Sequence, residues 1–198
     1  MKYVIRSLLF VIAITGCGEK STPGPKVVPS VKGDVYDVTT CEKELKLGEE
    51  TDSSQLIDKI QIYKKAHKIY LYKNGKKVET FGISLGKHSL EGDKKKEGDM
   101  RTPIGKYKIV RKRCDEKHSR YLLISYPNAE DRAEARKNSL NPGGGISIHG
   151  QPVWNADGHG DDYTLKHDWT EGCIAVTNTA LDRLWRSVEL GVPIEIYP

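Results

Sequence analysis

Cys173 stands in the stretch HDWTEGCIAVTN, residues 167–178, after a glycine and before a short apolar run, and His149 closes another apolar run, ISIHG, residues 146–150. A thiol is mostly protonated at neutral pH, with a free pKa of about 8.5, so it becomes a nucleophile only beside a base or a cation. An imidazole suits that task near neutrality. Gly150 and Gly172 adjoin the two groups; without side chains they leave room for a substrate backbone and for the amides of Gly150, Gly172 and Cys173 to face a developing oxyanion. Both Cys173 and His149 border the long polar segment 151–172, so residues distant in sequence can meet there. The chemistry this implies is acyl transfer through a thioester. The same two residues also read as a satisfied histidine at a strand end and an inert buried thiol, because isolated Cys and His pairs are common.

The chain has four cysteines, Cys17, Cys41, Cys114 and Cys173. Its first residues, MKYVIRSLLFVIAITGCGEK, place Lys2 and Arg6 around an apolar segment too short to span a bilayer, which is the pattern of an export signal. The ending ITGC resembles the lipobox of bacterial lipoproteins, in which cleavage leaves a lipidated cysteine as the first mature residue. Residues 1–16 are therefore expected to be a signal peptide and Cys17 a lipid anchor to a membrane, the outer one in a two-membrane cell because Gly18 follows. Lipidation leaves three thiols in an oxidising compartment, which suggests one bridge and one free sulfur. Cys41 (in TTCEKE) and Cys114 (in RKRCDEK) lie in polar surroundings, and pairing them explains both and leaves Cys173 free.

Residues 18–33 carry three prolines and three glycines and read as a tether; 17–57 is taken as anchor, tether and lead-in, and 58–198 as one folded domain. The formal charge of +5 is spread over dispersed lysines, so no nucleic-acid stripe is present, and an exported monomer facing wall carboxylates fits better. Alternating β-branched runs predict strands at 59–64 and 67–73, the latter meeting Asn74-Gly75, a tight hairpin turn, before a returning strand in 76–86. Further strands are expected over 106–113, 120–127, 146–150 and 192–198, with a charged, glycine-rich loop at 92–105. A short exposed helix is predicted over 128–138, and a second after Asn178 as cap, burying Leu181, Leu184, Trp185 and Val188. The fold class is β-rich, with short helices.

His149, His159, His167, Asp157, Asp161, Asp162 and Cys173 can be assembled on paper into a zinc site, but neither an HExxH nor a paired-cysteine spacing is present. NADGHGDD lacks the glutamate of a calcium loop. No metal and no cofactor are expected. Trp154 and Trp169 either line a groove for peptide or sugar or pack the loop onto the sheet. Arg101, with Thr102 and Pro103, reads as a rigid turn.

Taken together, IYLYKNGKKVETFGISLG, GDMRTPIGKYKI, ISIHG and GCIAV make residues 59–197 resemble the L,D-transpeptidase catalytic domain, the YkuD-like family of bacterial cell-wall enzymes. The resemblance implies a YkuD-like β-sandwich, His149 as general base and Cys173 as nucleophile, Thr170 at the family's Ser/Thr position, Arg101 near the cleft as a substrate contact, and peptidoglycan stem peptides as substrate. Two positions depart from the family pattern. Glu171 replaces a histidine and Ala175 an arginine or asparagine. A carboxylate two residues before the thiol opposes formation of the thiolate by like-charge repulsion, so Glu171 is a candidate for tuning the site. These departures point to a variant branch, which includes enzymes that hydrolyse a crosslink or release a wall-attached protein. They also suit a non-catalytic wall-binding lipoprotein.

Overall fold

The computed structural model describes residues 38–47, 55–116, 118–152 and 164–198. Among the described residues eight strands form one sheet: β1 (Lys59–Tyr63), β2 (Lys68–Lys73), β3 (Lys76–Gly82), β4 (Gly105–Asp115), β5 (Ser119–Ile124), β6 (Ser147–His149), β7 (Ile174–Ala175) and β8 (Pro193–Tyr197). Their spatial order is β3-β2-β1-β8-β4-β5-β6-β7. Alternation decides which face is buried: Ile60 and Ile62, Ile69 and Leu71, and Ile194 and Ile196 all point inward. The hairpin between β2 and β3 turns on Asn74 and Gly75, with φ of 51° and 72°, the left-handed pair that a two-residue turn requires.

The expected sandwich is a single sheet curled over on itself. β4 is the reason. Its first residues pair with β8 and its later ones with β5, so this long strand belongs to both halves. The segment after β3 closes the curl through isolated bridges, Ser84 to Ala175 and Gly86 to Thr170. Isoleucines and leucines of both halves then share one core cluster.

Among the described residues, α1 (Val38–Leu47), α2 (Ala129–Lys137) and α3 (Asn178–Ser187) lie against this sheet or at its edge. α2 starts at Asn128, whose side chain accepts from the Glu130 and Asp131 amides while Asp131 caps in return. In α3 the cap is Thr177 and not the expected Asn178: the Thr177 side chain accepts from the Ala180 amide. Asn178 is instead the first helical residue, and its Oδ1 accepts from the Gln151 amide at 3.0 Å. Leu181, Leu184, Trp185 and Val188 are buried together.

α1 lies in what the sequence presents as lead-in. It is held to the sheet by a disulfide between Cys41 and Cys114 and by Glu44, which pairs with Arg120. Cys41 is 1% exposed and sits in the core cluster, whereas its polar neighbours gave no sign of a core position; a helix buries one face regardless of what adjoins it in sequence. Arg120 is itself buried and pairs with Asp182 of α3 as well, at 2.9 Å. The expected signal, Cys17 and the tether lie outside the described residues.

Candidate active site

β6 and β7 run parallel, with Ile148 opposite Ile174 and His149 opposite Ala175. Cys173 immediately precedes β7, which places it beside Ser147. The Cys173 Sγ lies 3.5 Å from Ser147 Oγ and 3.7 Å from the Gly145 carbonyl. Ser147 and His149 are alternate residues of one strand, so both side chains share the face that carries the thiol. Among the described residues Cys173 is the free cysteine, and it is half-buried. Cys173 and His149 thus stand at adjacent strands, the thiol level with Ser147 and the imidazole two residues further along β6.

His149 is 3% exposed. Its Nδ1 is 2.7 Å from the Gly150 carbonyl oxygen, an acceptor only, so Nδ1 carries the hydrogen and the neutral ring keeps its lone pair on Nε2. Three rings fix the imidazole. Trp169 meets it edge-on at 5.6 Å, Tyr121 lies 5.6 Å away, and His118 lies 4.2 Å away, measured between centroids. Trp169 donates its indole N–H to the Thr164 carbonyl at 3.2 Å. Trp154 lies outside the described residues.

The turn before the nucleophile is organised by Thr170. Its hydroxyl donates to the Cys173 carbonyl at 2.7 Å and accepts from the Gly172 amide at 3.1 Å. The Gly172 amide, expected to face an oxyanion, is therefore engaged inside the turn. Gly172 has φ +136°, and a Cβ there would lie 2.8 Å from the Arg101 carbonyl oxygen. Gly150 is equally confined: a Cβ would lie 2.4 Å from Asn178 Oδ1. Both glycines serve close backbone packing.

A groove of about 350 Å³ opens at Cys173, walled by Gly143, Gly144, Gly145 and Ile146 on one side and by Lys94, Glu97, Gly98 and Met100 on the other, with Glu171 at its edge. Glu171 is exposed. Arg101 is not part of this wall. Its guanidinium reaches Glu91 at 3.1 Å and the Asp93 carbonyl at 3.4 Å, while its own carbonyl backs Gly172, so it braces the 92–105 loop. Asp99 does the same from within. Burial raises its pKa, but the Lys94 hydrogen bond and the amides of Lys96, Lys95 and Arg101 outweigh that and hold it at about 2. Lys64, fully buried, donates to the carbonyls of Gly92 and Thr102 at 2.7 and 2.9 Å. Desolvation lowers its pKa to about 8, with Asp93 opposing the shift and Arg101 adding to it. Among the described residues no cluster of three His, Cys, Asp or Glu side chains suits a metal; Asp157, His159, Asp161 and Asp162 lie outside them.

Ser147, His118 and Tyr121 escaped the reading of the sequence. Ser147 could have been found from the S-x-H alternation in ISIHG. His118 and Tyr121 could not, because only the pairing of β5 with β6, which sets Tyr121 opposite His149, brings them to the site.

The sequence profile of the YkuD family, described as the L,D-transpeptidase catalytic domain, matches residues 57–196. The chain belongs to this family. It is 28% identical over 152 residues to YafK of Escherichia coli K12, a match covering 70% of this chain and 53% of the relative. The solved structure of the helical cell shape determining protein Pgp2 from Campylobacter jejuni is similar at 27% identity and a TM-score of 0.52, covering 82% of this chain and 55% of that one. Bd1075 of Bdellovibrio bacteriovorus shares the fold, with 23% identity and a TM-score of 0.51 over 74% of this chain and 50% of its own. The chain thus spans about half the length of the relatives it matches.

Proposed function

We propose that this protein is a cysteine-dependent acyltransferase acting on peptidoglycan stem peptides. The observation that carries the reading is the His149 Nδ1 contact to the Gly150 carbonyl on the strand beside Cys173, since it leaves Nε2 as the basic nitrogen on the thiol's face. Nε2 takes the thiol proton as Cys173 Sγ attacks a peptide carbonyl, forming the C–S bond. The Cys173 amide supports the oxyanion, a contribution of about 3 kcal/mol per donor in comparable sites. Collapse breaks the C–N bond, and the imidazolium returns its proton to the leaving amine. A second amine resolves the thioester in transpeptidation, and water resolves it in hydrolysis. Glu171 and Glu97 at the groove attract an amine or hold a water, so they bias this last step. Anchoring through Cys17 would keep the enzyme on a membrane facing the wall.

Incubating the mature protein with purified wall fragments and weighing the products tests the reading. Crosslinked or cleaved stem peptides are expected from the wild type, together with a thioester adduct at Cys173. Glu171→His shifts the ratio of joined to hydrolysed products. Cys173→Ala abolishes activity and His149→Gln nearly does. Products formed at the wild-type rate by folded Cys173→Ala overturn the mechanism, and a folded wild type with an unreactive thiol identifies a binding module instead.

A further inference from the structure

The mechanism makes no use of the second buried imidazole. His118 is 7% exposed and lies in the turn between β4 and β5. Its ring centroid is 4.2 Å from that of His149, the planes tilted by 49°. His118 Nδ1 is hydrogen-bonded to the Tyr121 hydroxyl, its backbone amide donates to Asp115 Oδ1 at 3.0 Å, and the Tyr121 hydroxyl is hydrogen-bonded to the Asp115 side chain. A phenol has one hydrogen. Given to the carboxylate, it leaves the phenol oxygen to accept from His118 Nδ1–H. The chain then runs from the Asp115 carboxylate through Tyr121 to His118.

Two imidazoles at this separation do not both take a proton cheaply, because the second cation forms beside the first in a site with little water. Their surroundings differ. His118 is linked to a carboxylate, whereas His149 Nδ1 meets the neutral Gly150 carbonyl. Trp169 and Cys173 from the loop before β7 and Ser147 from β6 are among the described groups near the pair, and Arg113 of β4 acts electrostatically on Tyr121. Arg120, the next cation along β5, is committed to Glu44 and Asp182.

We propose that His118 is a positioning residue for His149: with Tyr121 and Asp115 it forms a proton-accepting chain that takes the first proton of the histidine pair, leaving His149 neutral and available as base. The proposal rests on His149 being the base of the preceding reading. It gives the chemistry a working range extending further into acid than a lone histidine would allow.

The test is nitrogen-detected imidazole NMR of the ¹⁵N-labelled protein against pH, run beside the rate of Cys173 carboxamidomethylation. In the wild type His118 titrates first as pH falls, and His149 follows at lower pH. His118→Phe keeps a flat ring against His149 and removes the competing cation, so the His149 midpoint rises by about one pH unit and the acid fall-off of alkylation moves with it. Asp115→Asn removes the anchor of the chain and abolishes the order of titration, which covers the case in which the Phe variant does not fold. A His149 midpoint unchanged in both folded variants, or His149 protonating before His118 in the wild type, overturns the proposal. If the two imidazoles remain coupled while His149→Gln leaves alkylation unchanged at every pH, the coupling stands and the assignment of His149 as base fails.

Discussion

Replacing Thr170 with valine removes one hydroxyl and almost no volume. Thr170 is 5% exposed, and its backbone remains tied to Leu85 and Lys87 by two hydrogen bonds of 3.1 and 3.0 Å, so the substitution isolates the hydroxyl. Two groups lose their partner: the buried Gly172 amide and the Cys173 carbonyl. An unsatisfied buried group costs about 1–3 kcal/mol. The amide takes the full cost, whereas the carbonyl of half-buried Cys173 recovers part of it from water, giving a loss of about 2–4 kcal/mol in urea unfolding. Reactivity falls too, because the hydroxyl is what folds residues 170–173 into the turn that presents Sγ. A displacement of about 1 Å at a reacting atom costs on the order of 10²-fold in rate, and the carboxamidomethylation rate of Cys173 reads it. Thr170→Ser restores both hydrogen bonds and stays within about 1 kcal/mol and a few-fold in rate of the wild type. A folded Thr170→Val protein within about 0.5 kcal/mol of the wild type, alkylating at an unchanged rate, refutes the assignment of Thr170 as organiser of the turn.

Cys41→Ala with Cys114→Ala, made in a Cys173→Ala background to prevent thiol exchange, opens a loop with a sequence separation of 73 residues; chain-entropy arguments give a loss of about 4 kcal/mol, measured as a lower urea midpoint with faster amide exchange in α1. Gly150→Ala sets a methyl group 2.4 Å from Asn178 Oδ1, so the start of α3 must shift and the Gln151 hydrogen bond is lost; a fall of several degrees in Tm is expected, partly recovered by adding Asn178→Ala. Burial holds the Lys64 ammonium at a pKa of about 8 in the folded protein, below the ordinary lysine value of 10.5. Between those values the unfolded chain holds a proton that the folded one does not, so stability rises with pH through this window and is flat below it. Its gain, on the order of 3 kcal/mol across the window, disappears in Lys64→Met, as urea titrations of the two proteins at pH 7 to 10.5 would show.

Periodicity in the sequence was enough to read most of the sheet. Ile60 and Ile62, Ile69 and Leu71, and Ile194 and Ile196 alternate with polar residues, and a period of two can bury only one face. Asn74-Gly75 determined its own turn because few other residues tolerate two consecutive positive φ angles. Cys173 and His149 stood out as candidates for a similar reason: thiol and imidazole are scarce, and each stood beside a glycine at the edge of an apolar run. What tertiary structure decided was neighbours. The cap of α3 went to Thr177 because Asn178 was needed by the Gln151 amide, 27 residues away. The Gly172 amide was claimed by Thr170, Arg101 turned toward Glu91, and Cys41 entered the core through a helix whose local composition is polar. Lys64 reads as one more surface lysine, and only the closing of residues 92–102 over it makes it an internal donor. His118 meets His149 only because β5 pairs with β6, a long-range register that no local pattern encodes, since strand pairing depends on which partners the curled sheet brings together.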